Sequence, residues 1–442
     1  MKNRILVLGA GLVARPLVRY LLDHGFDLVV ADLSRSKAEA IIGGHPKGRP
    51  VELDLTDSAA LAALVCGCDL AVSLVPYVYH VQVARMCLVH RKHLVTTSYV
   101  SNEMRELSGE AAEKELLFLN EIGLDPGIDH MSAMKVMDGV RSQGGTITGF
   151  HSCCGGLPAP DCNDNPWGYK FSWSPRGVLL AGRNAASYLS DGQLMDVPPQ
   201  DLFLHHGSVD VEGAGTLEAY PNRNSLQYVS LYGLETAKSM FRGTLRYPGW
   251  CATMKAMGDF GWFSLDPVPN GVKTMRQLSA HLAGLPREST TAELLAWASR
   301  SLGLQPQSNP LERMKWAGLF DDIDLGKVPS VLDALCAVLE GRLAYQPGQR
   351  DMVALHHTFQ TVSGQGKAQR ITSTLVEFGI PNGDSAMSRT VSLPAAIAAR
   401  MILDGAIRLS GVHVPVHSHI YRPVLQALDE LGVRFVERVV DV

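Results

Sequence analysis

The chain lacks any apolar run of membrane-spanning length, because Asp69 and Arg85 bracket the nearest candidate and a span needs about 20 apolar residues. It also lacks concentrated charge of one sign. Lys and Arg number 40 against 44 Asp and Glu, for a net charge of -4, so it has no basic surface for nucleic acid. Cysteine is scarce: eight residues in 442 are too few and too scattered for a disulfide scaffold. Cys66 and Cys68, and Cys153 and Cys154, lack the two-residue spacing of a zinc knuckle, and they read as reduced, mostly buried thiols. The histidines at 356 and 357, and at 413, 417 and 419, lack acidic or thiolate partners in sequence, so no metal is expected. Glycine and proline are numerous but aperiodic, which excludes a fibrous chain. The start "MKNRILVLGAG" enters a strand at once and does not read as a signal peptide. The expectation is a soluble cytoplasmic protein.

What is present is alternation. At 442 residues two or three domains are expected. Over residues 1–125 apolar strands such as "RILVLGAG", "DLVVAD", "CDLAVSLVP" and "HLVTTS" are separated by helical patterns, which predicts a parallel sheet covered on both faces. Strand-like pieces broken by Gly and Pro follow, then a mainly helical block, then the strands "DMVALHHTFQTV" and "AQRITSTLVEFG". The predicted fold class is α/β: an N-terminal Rossmann domain and an α/β substrate domain carrying a mostly helical insertion. Its expected bounds are 1–125, rejoined by 392–442; 126–248 with 346–391; and 249–345. The closing strand "VRFVERV" is expected to rejoin the first domain.

Gly9, Gly11 and Ala14 form a GxGxxA turn between a strand and a helix. Gly9 permits the tight turn, Gly11 leaves room for a pyrophosphate and Ala14 allows close helix packing. The helix N-terminus then offers amides to phosphate. Asp32 ends the second strand, where a carboxylate accepts from ribose hydroxyls and repels a 2′-phosphate, favouring NAD over NADP. Arg35 lies close enough to meet that phosphate if Asp32 turns aside. The other strand ends supply Asp54, Leu55, residues 73–76 and 96–99, and the turn "GLDPGID" at 123–129, which places Ser98, Tyr99 and Asp125 to meet whatever sits against the nicotinamide.

A second cluster is "NPWGYKFSWSPRG", residues 165–177. Its Tyr169, Lys170, Trp173 and Arg176 are expected to line a cleft facing the cofactor. Arg223 and Arg246 lie in polar, strand-like surroundings. Arginine forks bind carboxylates in bidentate fashion, so the expected ligand is a small polyanion.

These residues resemble the saccharopine reductases, also called glutamate-forming saccharopine dehydrogenases. The likeness runs along essentially the whole chain and includes "SLVPYVYH", "NEIGLDPGIDH", "CCGGLPAP", "NPWGYKFSWSPRGVLL", "RGTLRYPG" and "LDALCAVLE". It implies a reversible oxidation of saccharopine to glutamate and 2-aminoadipate 6-semialdehyde with a nicotinamide cofactor. It implies cofactor contacts at Gly9, Ala10, Gly11, Leu12 and Val13, and around Asp32 at Leu33, Ser34 and Arg35. It extends them to Asp54, Leu55, Leu74, Val75, Pro76, Thr97, Ser98, Leu124 and Asp125. Substrate contacts are implied at Ser98, Tyr99, Asp125, Lys170, Phe171, Trp173, Ser174, Arg176, Arg223, Thr244, Leu245 and Arg246. Fungal members that use NADP tend to carry arginine where this chain has Asp32. Relatives of the scaffold make carboxyspermidine-type polyamine precursors, an alternative substrate class, and a non-catalytic NAD(H) sensor is a second alternative.

The implied chemistry needs a general acid or base titrating near neutrality. Asp125 is the first candidate, with Lys170 and Tyr99 as partners. His130 is expected to pack structurally, and Cys154 to form wall. A homodimer is expected, as the commonest oligomer.

Overall fold

Residues 3–442 are described in the computed structural model of the chain. The chain opens with β1 (Arg4–Leu8), α1 (Ala14–Asp23), β2 (Asp27–Asp32), α2 (Arg35–Ile42) and β3 (Gly48–Glu52). It continues through α3 (Ser58–Cys66), β4 (Leu70–Ser73), α4 (His80–His90), β5 (His93–Thr96), α5 (Asn102–Glu106), α6 (Ser108–Glu113), β6 (Leu117–Leu119) and α7 (Ile128–Ser142). Ile5 to Leu8 and all of β4 are buried, as parallel strands covered by helices on both faces must be. The sheet order is β15-β6-β5-β4-β1-β2-β3, with β15 at Gly411–His413. Every pairing in it is parallel. Strand order reverses between β1 and β4, and ligands bind outside the carboxyl ends at such a switch point.

The second sheet begins with β7 (Thr146–Pro158), followed by α8 (Pro175–Ala181), β8 (Ala186–Ser190), β9 (Gln193–Val197), β10 (Gly207–Val211) and β11 (Gly215–Pro221). Then come α9 (Gln227–Tyr232), β12 (Ser239–Arg246), α10 (Trp250–Phe260), α11 (Met275–Leu282), α12 (Thr291–Ser301), α13 (Asn309–Ala317) and α14 (Val331–Arg342). Strands β13 (Asp351–Val362) and β14 (Ala368–Phe378) lead to α15 (Ala386–Leu403), then β15, α16 (Ser418–Glu430) and β16 (Val436–Asp441). The sheet is mixed, in the order β10-β11-β12-β7-β13-β14-β16, with β8 and β9 attached to β12. Among the described residues no helix is long and apolar enough to cross a membrane.

The chain divides into two compact units. The first takes the stretch ending at Thr146, Val362–Lys367 and Glu377–Arg438; the second takes Ile147–Thr361, Ala368–Val376 and Val439–Val442. This differs from the expected three-part division in three places. Helix α7 belongs to the first unit, where it packs on α16. The helical block has no core of its own: Leu278, Leu294, Met314 and Leu335 share one cluster with Trp167, Tyr169 and Tyr220. Strand β16 joins the second sheet beside β14, and the first sheet is instead completed by β15, paired with β6.

Candidate functional site

In the first unit the glycine turn is built as the dinucleotide reading requires. Gly9 has φ +102°, and a Cβ there would lie 3.0 Å from the Leu74 carbonyl oxygen. A Cβ on Gly11 would meet nothing within 4 Å, so open space lies where a pyrophosphate is expected. The N-terminus of α1 has no side-chain cap, which leaves its first amides for an anion. The Asp32 carboxylate accepts from the Ala10 amide at 2.8 Å and the Ser34 amide at 2.9 Å. It is thereby fixed to the turn, with lone pairs left for ribose hydroxyls. Leu12 and Leu33 are exposed, at 69% and 70%, and offer apolar surface beside these groups. Arg35 is tied to Glu39 at 2.8 Å in an exposed pair, a contact worth ~0.5 kcal/mol that can open for a phosphate. Asp54 accepts from the Thr56 amide and hydroxyl, which hold its carboxyl below the usual range, and the Leu55 carbonyl accepts from Gln82. These residues fit a bound NAD or NADP.

The turn at 123–127 brings Tyr99 and Asp125 together, the phenol donating to Asp125 Oδ1 at 3.2 Å. Beneath it lies a buried brace. Glu121 Oε1 accepts from the Val100 amide at 2.9 Å, Glu121 Oε2 lies 2.8 Å from His130 Nε2, and the Gly127 amide donates to Asp129 Oδ1 at 2.6 Å. His130 is fully buried against Glu121. Gly127 is required here: its φ is +148°, and a Cβ would sit 2.1 Å from the Gly123 carbonyl oxygen. Gly127→Ala is expected to destabilise by at least ~2 kcal/mol. Chemical denaturation checks this, and an unchanged midpoint would contradict the brace.

In the second unit one face of the sheet carries the polar groups. Residues paired across strands point to the same side. Thr244 pairs with Tyr220 on β11 and with Cys154 on β7, and Arg246 pairs with Glu218. Arg246 is 4% exposed and lies over the rings of Tyr169 and Trp250, at 4.9 and 5.3 Å. Its Nη1 donates to the Leu245 carbonyl at 2.7 Å, while its Nε has no hydrogen-bond partner. Its cross-strand neighbour Glu218 makes no ion pair with it; the Glu218 carboxylate accepts instead from the Gly249 and Cys251 amides at 2.6 and 2.9 Å, at the N-terminus of α10. Among the described residues Arg246 makes no ion pair, and a buried guanidinium left so is costly unless an anion arrives. Arg242, buried on the same face and stacked on Tyr228 at 4.3 Å, is a cation the sequence reading missed. Two arginines at i and i+4 on a strand would have signalled it.

The other expected cations are already engaged. Lys170 donates to Asp164 and to Gln349 Oε1, both at 2.6 Å, and Gln349 in turn donates to Asp164. The Lys170 ammonium holds the Asp164 carboxyl below its usual range. Arg176 is exposed and paired with Asp333 of α14 at 2.8 Å. Arg223 is exposed, in the left-handed region with φ +55°. Trp167 and Tyr169 are buried in the core, with Phe171 and Trp173 packed against it, so the aromatic stretch anchors sheet to helices more than it lines a surface. Ser174 caps α8. The Leu245 side chain is fully buried and points to the face opposite Arg246. Cys153 and Cys154 are buried. His206, Glu218 and Cys251 have ligand atoms within 4.8 Å of one another, but Glu218 is committed to α10, and burial with that carboxylate pushes the Cys251 thiol pKa up.

Two family profiles account for nearly all of the chain: the saccharopine dehydrogenase NADP binding domain over residues 5–119 and the saccharopine dehydrogenase C-terminal domain over 123–433. The saccharopine dehydrogenase [NADP(+), L-glutamate-forming] of Schizosaccharomyces pombe is 38% identical over 99% of both chains. The alpha-aminoadipic semialdehyde synthase of Bos taurus, a mitochondrial protein, is 36% identical over 98% of this chain, which spans 47% of its length. The apo saccharopine dehydrogenase (L-Glu forming) structure from Saccharomyces cerevisiae superposes with a TM-score of 0.89 at 35% identity, covering 99% of this chain and all of that one. With the glycine turn, the Tyr99–Asp125 pair and the buried Arg246 in place, the chain belongs to the saccharopine dehydrogenase family.

Proposed function

We propose that the protein oxidises saccharopine reversibly to L-glutamate and 2-aminoadipate 6-semialdehyde, using NAD or NADP. The observation that carries this reading is Arg246, a buried guanidinium whose strand neighbour Glu218 is held by helix amides instead. It suits a carboxylate-rich substrate, and the rings of Tyr169 and Trp250 beside it hold the fork in place. The S. pombe and S. cerevisiae relatives carry the same activity in their names.

In the oxidative direction a nicotinamide cofactor, held by the glycine turn and Asp32, would supply the acceptor for the hydride lost from the carbon beside the secondary amine. Asp125 takes the amine proton, and Tyr99 steadies the carboxylate through its 3.2 Å hydrogen bond. The imine that results takes up water, and the carbinolamine collapses to glutamate and semialdehyde as Asp125 returns a proton. Arg246 holds a carboxylate alike in ground and transition states, so its contribution is to substrate binding. Lys170, already balanced by Asp164, serves to organise the segment around it and is a weaker candidate for proton transfer. The test runs in reverse: NADH or NADPH oxidation should follow addition of the semialdehyde with glutamate. Equal rates when glutamine replaces glutamate would contradict a site built for that side-chain carboxylate.

Asp32 favours NAD. Its fixed carboxylate would lie against a 2′-phosphate, whereas ribose hydroxyls complete its hydrogen bonds. Asp32→Ala is expected to move the ratio of kcat/KM values toward NADP by roughly tenfold or more, the scale of one or two lost charge contacts. Initial rates with both cofactors check it, and an unmoved ratio removes Asp32 from the choice. The same reading includes a homodimer in a reducing, cytoplasmic setting. It is supported by exposed Val436, Val439 and Val440 on outer strand β16 and by the absence of any disulfide among the eight cysteines.

A further inference from the structure

His80, which the reaction above does not use, is 5% exposed at the start of α4. Its ring joins the ends of two strands. Nδ1 lies 2.9 Å from Ser73 Oγ at the end of β4. Nε2 lies 2.8 Å from Ser98 Oγ and 3.2 Å from Thr96 Oγ1, at and just beyond the end of β5. A neutral imidazole has one N–H and one bare nitrogen, and the partners decide which is which. Two hydroxyls, Ser98 and Thr96, face Nε2, and one, Ser73, faces Nδ1. Thr96 Oγ1 also accepts from the Ser98 amide at 3.4 Å, which leaves its proton free to turn to Nε2. With Nε2 bare and Nδ1–H donating to Ser73, the Ser98 hydroxyl can donate inward to Nε2, which leaves only lone pairs for anything on its outer side.

We propose that His80 holds the Nδ1–H tautomer and is a positioning residue that locks the Ser98 proton inward, so that Ser98 accepts an N–H from a bound ligand and cannot donate to one. Two such groups fit: the amine of the substrate and the carboxamide of the nicotinamide. The inference rests on the reading above, in which Ser98 faces these ligands. Orientation, not proton uptake, is the role. Burial alone pulls the His80 pKa down to about 4, so the ring is neutral near pH 7. A base that weak does little general base catalysis.

Ring-nitrogen NMR on histidine-labelled protein tests the lock without turnover. The His80 signals, assigned by their loss in H80L, should report the Nδ1–H tautomer from about pH 5.5 to about pH 8. The Nε2–H tautomer, or titration within that window, overturns the proposal. A double-mutant cycle on saccharopine oxidation is the second arm. H80L and S98A should each lower kcat/KM roughly ten- to hundredfold, and the double variant should fall no further than S98A. H80Q, whose amide oxygen can accept the Ser98 proton, should recover much of the loss with an unchanged melting temperature. Losses that multiply, or an H80L effect that merely tracks lost stability, overturn it. Repeating the cycle with the acetylpyridine analogue of the cofactor, which lacks the carboxamide N–H, separates the two partners. The His80 effect persists if the amine is bound and vanishes if the carboxamide is, and either result supports the lock. A wild-type enzyme inactive on saccharopine overturns the functional reading and leaves the tautomer to decide this one.

Discussion

Arg246→Met is expected to lower kcat/KM for saccharopine roughly thirtyfold to several-thousandfold, the effect of about 2–5 kcal/mol for truncating one member of a buried, hydrogen-bonded charge pair. The loss should appear mainly in KM, because the carboxylate is bound alike in ground and transition states. Methionine keeps the apolar contact with Tyr169 and Trp250 and removes a buried charge that makes no ion pair among the described residues, so the variant should be at least as stable as wild type. Arg246→Lys should recover little, since an ammonium lacks the planar, bidentate fork. NADH affinity, read by fluorescence, should not change in either variant. A methionine variant with wild-type KM would remove Arg246 from the substrate site.

Asp125→Asn should lower kcat by roughly 10²- to 10⁴-fold, the usual contribution of a positioned acid or base. Asparagine keeps an oxygen that can accept from Tyr99, and the brace of Glu121, His130 and Asp129 does not depend on the Asp125 charge. Folding and cofactor binding should therefore be preserved while the rate falls. The pH dependence of kcat should lose the limb that belongs to Asp125, whereas Tyr99→Phe should shift that limb and lower the rate less. A flat pH profile in wild type, or an active Asp125→Asn enzyme, would assign proton transfer elsewhere.

The dinucleotide half of the site was legible because its determinants are local. A glycine turn between strand and helix, and an acid at the end of the next strand, are close in sequence, and their physics hardly depends on the rest of the chain. The substrate half was legible only as residue types. Arg176, Lys170 and Arg246 look alike in sequence, yet Asp333, 157 residues from Arg176, claims the first, and Gln349, 179 residues from Lys170, helps to claim the second. Only the folded chain shows Arg246 left over. The aromatic run misled for a related reason: Trp167 and Tyr169 are buried by helices more than 80 residues downstream. His80 gave no signal at all, because its meaning lies in three hydroxyls from two strand ends. Strand β15, three residues long, is below any periodicity test, and β16 was assigned to the wrong sheet because an edge strand with every residue exposed has no buried face to fix its partner.

The most direct test is a set of initial rates of saccharopine oxidation with NAD and with NADP, run beside carboxynorspermidine as the control amine. Saccharopine turnover is expected well above the control, with NAD the better cofactor. Turnover of the polyamine alone would contradict it, because Arg246 would then serve something other than the carboxylates that distinguish saccharopine.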